Sequence, residues 1–228
     1  MSRRWLVLRL TAPLMSFGAV AVDHVGPSWA WPGRSMLTGL FANALGWDWT
    51  DRAVHQRLQD RLVHAAAAIR PGEILTDIQN AQLAKLDRGW TTRGQPEGRT
   101  GASYDAPHRR RRDYLADADL LVVATLQGDG APDLDAIADA LDRPARPLVL
   151  GRKPCLPSGP LARGEVTAST AHAALAEALG AEAHPAAWPE DEGPIGDRTI
   201  DLPDLRIWTS GLHGGSRRLV EGTVGRVP

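Results

Sequence analysis

Leu120-Leu121-Val122-Val123-Ala124-Thr125-Leu126 is an almost unbroken aliphatic run, and it constrains the fold more than any other segment. It is too short for a membrane span, which takes roughly 20 apolar residues. It has no polar face, so it reads as a buried strand. Trp5-Leu6-Val7-Leu8-Arg9-Leu10 is a second such segment, closed by Pro13. Between them, apolar residues at 37, 40, 41, 44 and 45 predict a helix over Arg34–Leu45, which Gly46 ends. Residues 51–62 predict a second helix, with Thr50 as its cap. Leu62–Arg70 admits two readings: its alanines favour helix, whereas its length and the following Pro71-Gly72 suit a strand. The strand is preferred, with Ile74–Ile78 as its partner. Pro132–Leu141 reads as a helix and Pro147–Gly151 as a further short strand. Strand, helix, strand, insert, strand, helix, strand is the order of an antiparallel-containing α/β sandwich of ferredoxin-like type.

Regular pattern disappears from about Asn80 to Arg112, where glycines stand at 89, 94, 98 and 101. A patternless connection this long is unusual inside a compact domain and is often functional. After a helix near 170–179, the Pro- and acid-rich stretch 185–197 reads as a loop, with short strands at 206–208 and 218–224.

The net charge of -1 conceals an asymmetry. Residues 1–114 hold 16 Lys and Arg against 10 Asp and Glu, a balance of +6, and residues 115–228 hold 10 against 17, a balance of -7. Such a split suits a chain with one face toward a polyanion, although a solvated charge run is the commoner cause. Arg3, Arg4 and Arg9 interrupt the early apolar residues, so no export signal is read and a cytoplasmic location is expected. The single cysteine, Cys155, has no disulfide partner within the chain and reads as a buried structural thiol.

Within 80–112 stand Arg88, Arg93, Arg99, Arg109, Arg110, Arg111 and Arg112, with Trp90 and Tyr104 among them. Guanidinium forks bind phosphate, and both guanidinium planes and aromatic rings stack on bases, so this mixture suits a single-stranded nucleic acid. A merely soluble basic loop is the plainer alternative. At Pro32-Gly33-Arg34-Ser35, free amides at a helix start, a hydroxyl and a guanidinium could meet one phosphate. The nucleotide-hydrolase phosphate loop and the dinucleotide fingerprint are both absent. The histidines at 24, 55, 64, 108, 172, 184 and 213 show no metal-ligand spacing, and no serine-hydrolase elbow occurs. Neither cofactor nor metal is expected.

Four stretches carry a family resemblance in their order: Leu8–Gly18, Pro32–Leu40, Arg112–Ala118 and Leu150–Cys155. Together they resemble the CasD family of type I-E Cascade, a RAMP-fold group, over most of residues 4–163. The resemblance implies an α/β (α+β) fold, a ferredoxin-like, RRM-like RAMP palm with an inserted β-hairpin thumb. It implies one domain over 1–228, the thumb at about 80–112 and a less regular segment at about 164–228. It further implies a non-catalytic subunit of the interference complex that clasps the 5′ handle of CRISPR RNA (crRNA). The backbone and large Cascade subunits would be its protein partners, with target DNA reached only through the complex and no membrane involved.

By that carry-over Arg34 and Ser35 sit at the palm helix, Arg112 at the thumb base, and Arg152 with Lys153 at the Leu-Gly-Arg turn, all near the handle. Met15 and Ser16 would line the same groove, and Arg88, Trp90, Arg93, Arg109, Arg110 and Arg111 would belong to the thumb. Met36 and Pro154 depart from the family pattern, which usually has a second small residue and a serine there. The alternative is a metal-independent endoribonuclease acting on repeat RNA, for which Lys85, Tyr104, His108 and Tyr114 could supply proton transfer.

Overall fold

The computed structural model describes residues 2–81, 89–90, 96–97 and 108–225. In chain order the elements are β1 (Arg3–Thr11), β2 (Leu14–Met15), β3 (Val25–Gly26), α1 (Arg34–Ala44), α2 (Arg52–Arg61), β4 (Leu62–Arg70), β5 (Glu73–Ala81), β6 (Gly89–Trp90), β7 (Pro96–Glu97), β8 (His108–Ala116), β9 (Asp119–Leu126) and α3 (Leu134–Asp142). There follow β10 (Ala162–Ala168), α4 (Ala171–Leu179), β11 (His184–Pro189), β12 (Arg198–Leu202), β13 (Arg206–Ile207), β14 (Leu212–His213) and β15 (Arg217–Val224).

The main sheet runs β10-β1-β9-β4-β11-β15-β12, and every neighbouring pair in it is antiparallel. Its first four strands, with α1 and α3 as crossovers, are the ferredoxin-like βαββαβ unit expected from the sequence. The remaining three strands extend that sheet beyond β4.

Both faces of the central strands are covered, which explains their unbroken apolar character. Leu6, Leu8 and Leu10 of β1 and Leu120, Val122 and Ala124 of β9 join the core beneath α1 and α3. Trp5 and Val7, with Leu121 and Val123, face the opposite core with Ala171, Ala174 and Leu175 of α4. The alanines of β4 alternate between the same two cores, so pairing and two-sided burial override their helix propensity. Thr170 caps α4 through Ala173 N–H at 3.2 Å, and Asp133 caps α3 through Ala136 N–H at 2.8 Å. Thr50 does not cap α2: its hydroxyl donates to Asp48, and Asp51 takes the position before the helix.

Three further expectations are corrected. Pro147–Gly151 is no strand; Leu148 and Leu150 reach the core from an irregular segment, and the fourth strand of the unit is β10. β10 was illegible because it lies at the sheet edge, with four of its seven residues exposed. Residues 185–189, the start of the stretch 185–197 read as loop, belong to the strand β11, with Ala186, Ala187 and Trp188 buried between β4 and β15. Its two prolines hid it, since proline lowers strand propensity.

The third correction concerns the insert and the strand expected to partner β4: Ile74–Ile78 lies in β5, which pairs with β8, whereas β4 pairs with β9 and β11. β5 and β8 pair without a break from Glu73↔Ala116 to Ala81↔His108, so regular structure reaches further into the 80–112 interval than the sequence suggested. β8 also carries β2 and, in parallel, β3 on its other edge. β6 and β7 pair with each other. No described helix is long and apolar enough to cross a membrane.

Candidate nucleic-acid interface

Four separated chain segments meet where β2, β3 and β8 approach the turn after Leu150. Ser16 N–H donates to Leu150 O at 3.1 Å, and Ser16 Oγ lies 3.4 Å from Asp113 O. The turn is closed by Cys155 N–H to Arg152 O at 2.9 Å and Leu150 N–H to Cys155 O at 2.7 Å. Cys155 is buried, which pushes its thiol pKa up, in keeping with a structural role.

Arg152 is the clasp of this junction. Its Nη1 donates to Asp113 O and its Nη2 to Gly26 O, both at 2.9 Å, while the guanidinium lies 4.8 Å over the Tyr114 ring. Arg112 reaches the same place from β8. A Cβ on Gly26 would stand 2.6 Å from Arg112 Nη1 and 3.1 Å from Arg152 Nη2, so glycine lets two guanidinium groups flank one backbone position. Lys153 follows Arg152 on an exposed turn.

Beside this clasp runs a groove of about 440 Å³, to which Ser16, Ser35, Asn43, Arg152, Arg206 and Trp208 contribute. It adjoins a cavity of about 620 Å³ walled by Phe17, Val20, Trp29 and Pro203, and Ser35 and His213 border both. Phe17 is fixed by its N–H donating to Ser28 Oγ at 3.0 Å. Arg206 and Trp208 escaped sequence reading. They belong to the β13–β14 hairpin, which is held to α2 by Gln59: its Oε1 accepts from Trp208 Nε1 at 3.0 Å and from Arg206 N–H at 3.2 Å. The Arg206 guanidinium lies 4.8 Å from the Trp208 ring. A cation and an indole two residues apart were the available signal, the same mixture that singled out the insert.

Of the expected residues, Ser16, Ser35 and Arg152 border the groove, Arg112 meets Arg152 at Gly26, and Lys153 follows Arg152 on the exposed turn. Met15 does not line the groove; it is fully buried in the core, as its place opposite Leu115 on β8 requires. Arg34 turns elsewhere: with Arg217 and Pro189 it borders a different cavity. Nor is the start of α1 an open anion site. Asp204 accepts the Arg34 N–H at 2.8 Å through Oδ2 and the Ser35 N–H at 3.0 Å through its carbonyl, so the chain's own carboxylate fills the position read as a phosphate cradle. Gly33 makes room, since a Cβ there would come within 3.0 Å of Asp204 Cβ.

The arginines of β8 do not form one patch. Strand alternation puts Arg110 and Arg112 on the face of Tyr114, and Arg109 and Arg111 on the face of Asp113 and Leu115. Arg88 and Arg93 lie outside the described residues, as do Lys85 and Tyr104; for Trp90 and His108 only the backbone is described. Tyr114 is 3 % exposed, beneath the Arg152 guanidinium. No cluster of metal-ligating side chains occurs among the described residues.

Comparison with known proteins then gives a consistent picture. A family model described as "CRISPR-associated protein (Cas_Cas5)" matches residues 5–220. The "CRISPR system Cascade subunit CasD" of Escherichia coli (strain K12) is 28% identical over 173 residues, 76% of each chain. Among solved structures, a chain of a "CRISPR RNA-guided surveillance complex" superimposes with a TM-score of 0.71 at 26% identity, covering 96% of this chain and 90% of that one. A second, titled "Crystal structure of Cas protein", gives 0.62 at 26% identity, covering 97% and 95%.

Proposed function

The chain belongs to the Cas5 family of CRISPR-associated proteins, and from that premise we propose that it is a crRNA-binding subunit of a Cascade-type surveillance complex. More narrowly, it grips the 5′ handle of the guide in a type I-E assembly and does not cut RNA. The observation that carries this reading is the clasp itself. Arg112, at the end of the insert, and Arg152, on the turn after Leu150, flank Gly26 beside a groove that offers hydroxyls, a guanidinium-stacked indole and apolar walls. Cations for phosphates and planar faces for bases are the two requirements of single-strand recognition.

Expression with the remaining complex subunits and a repeat array, followed by sequencing of the RNA that copurifies, tests the reading. Fragments sharing the repeat-derived 5′ handle are expected; random cellular RNA would refute it. Incubation of the purified chain with labelled repeat RNA, alongside a substrate with a 2′-deoxy substitution, tests the absence of cleavage. Cutting of the first and not the second would establish the ribonuclease instead.

A further inference from the structure

Arg52, His55, Gln56 and Gln59 have the i, i+3, i+4, i+7 spacing that puts residues on one face of a helix, and all four side chains of this α2 face engage the β13–β14 hairpin. Arg52 Nη1 donates to Thr209 O at 3.1 Å, and the His55 ring lies against the Trp208 indole with centroids 4.8 Å apart. Gln56 Oε1 accepts the Trp208 N–H at 2.9 Å. Gln59, 3% exposed, is engaged through both ends of its amide: besides the two bonds that its Oε1 accepts, Nε2 donates to Arg206 O at 2.9 Å. The hairpin has little else to hold it. Its strands are two residues each and pair with no other described strand, and an isolated two-stranded hairpin is marginal in water. Its place beside the groove therefore depends on α2.

We propose that Arg206 contacts one phosphate of the bound RNA and that Gln59, which touches no RNA, is the positioning residue that aims it. The inference rests on the RNA-binding reading above and assigns two residues to it. Arg206 forms part of the groove wall, and its charge is paired with no carboxylate among the described residues. One face of its guanidinium rests on the Trp208 indole, and Nη2 donates to Gly211 O at 3.2 Å. Nε is buried, so the contact falls to Nη1, a donor on the edge of the guanidinium fork. Edge donors of a fixed guanidinium match phosphate oxygens in charge-assisted bonds. The gain depends on the fork being held before the strand arrives, because a side chain ordered only on binding gives back part of the bond as lost rotamer freedom. Gln59 supplies that order: it holds the Arg206 backbone on both its N–H and its carbonyl and fixes the indole on which the guanidinium lies.

The test is fluorescence anisotropy of the full chain with labelled repeat RNA over a salt series. Preference of the unaltered chain for repeat over scrambled RNA is measured first; its absence would sink the RNA-binding reading and this inference with it. Arg206→Gln is expected to weaken binding about tenfold and to flatten the log–log salt dependence by about 0.7, the signature of one lost phosphate contact on a single strand. Gln59→Met keeps the side chain's volume and removes its hydrogen bonds. It should weaken binding about fivefold with a flattening of the same sign, yet add less than about twofold when Arg206→Gln is already present. Should Gln59→Met fail to fold, Gln56→Met frees only the Trp208 N–H, with an expected loss of about threefold that likewise vanishes beside Arg206→Gln. Losses that multiply across the pair would make the glutamine a structural residue only and overturn the positioning role. With binding by the unaltered chain intact, unchanged affinity in a folded Arg206→Gln, or a loss with no change in salt slope, would overturn the phosphate contact while leaving the RNA-binding reading in place.

Discussion

A Cβ on Gly151 would stand 1.6 Å from the carbonyl oxygen of Ser16. The backbone at 151 also sits at φ +95°, a conformation that side-chain-bearing residues adopt only under strain. Gly151→Ala must therefore move the turn away from Ser16 and break the Ser16 N–H to Leu150 O bond. A loss of about 2 kcal/mol or more in urea unfolding is expected, together with weakened repeat-RNA binding. Unchanged stability would show that the turn is not pressed against Ser16.

Arg152 is expected to act through shape as much as charge. Arg152→Lys keeps the cation but cannot hold Asp113 O and Gly26 O while lying flat on Tyr114. RNA affinity should fall about tenfold, or ~1.4 kcal/mol. Exposed Lys153 is a simple counter-charge, so Lys153→Ala should weaken binding only about threefold and flatten the salt dependence by about 0.7 in log–log slope. Fluorescence anisotropy over a salt series separates the two. Equal effects of both substitutions would reduce the clasp to net charge.

The clasp was visible in the sequence as motifs but not as geometry. Leu150-Gly151-Arg152 and Leu14-Met15-Ser16 stood out, yet nothing in either indicates that Gly151 is required by Ser16, since the contact spans most of the palm. Arg34 shows the opposite failure. Its position at the start of α1 was right, but the residue that fills the helix start, Asp204, lies far along the chain and carries no local signature. β10 and β11 were missed because strand signals rest on aliphatic or β-branched residues, and the sheet supplied pairing partners that the segments do not announce. The two-sided central strands were legible because burial on both faces leaves a continuous apolar run.

Acidification should destabilise the fold through His64. Its pKa in the folded protein is depressed, first by burial and then by Arg217 and Arg34, whereas in the unfolded chain it returns to the usual 6.5. Below that pH the unfolded state takes up a proton the native state refuses, so stability is full above it and declines as pH falls. The slope for one such histidine is at most about 1.4 kcal/mol per pH unit. His172, also lowered by burial but partly exposed, adds a smaller effect of the same sign. Urea unfolding at about pH 7.5 and about pH 5.5 measures the decline, and His64→Gln should flatten most of it. An unaltered decline in that variant would place the titrating group elsewhere.

The register of β8 makes a sharper prediction about the arginine run than its composition does. Arg112 flanks Gly26 beside Arg152, and Arg110, two residues away, shares its face; both lie on the side of the clasp. Arg111 pairs across from Ile78 and Arg109 from Asn80, on the face where Ile74 and Ile78 are exposed. Were the run a diffuse basic patch, reversing any of the four charges would weaken repeat-RNA binding alike, with an equal change in salt dependence. If the clasp face carries the contacts, Arg112→Glu and Arg110→Glu should each cost about 1 to 3 kcal/mol, because a charge-assisted bond is lost and a repulsion gained. Arg109→Glu and Arg111→Glu should cost less than about 0.5 kcal/mol, acting only through long-range potential that salt screens. Circular dichroism and thermal unfolding of each variant exclude misfolding as the cause, since all four side chains lie outside the two cores. Alternating effects along 109–112 would identify the RNA-facing side of the strand, and four equal losses would refute a one-sided interface.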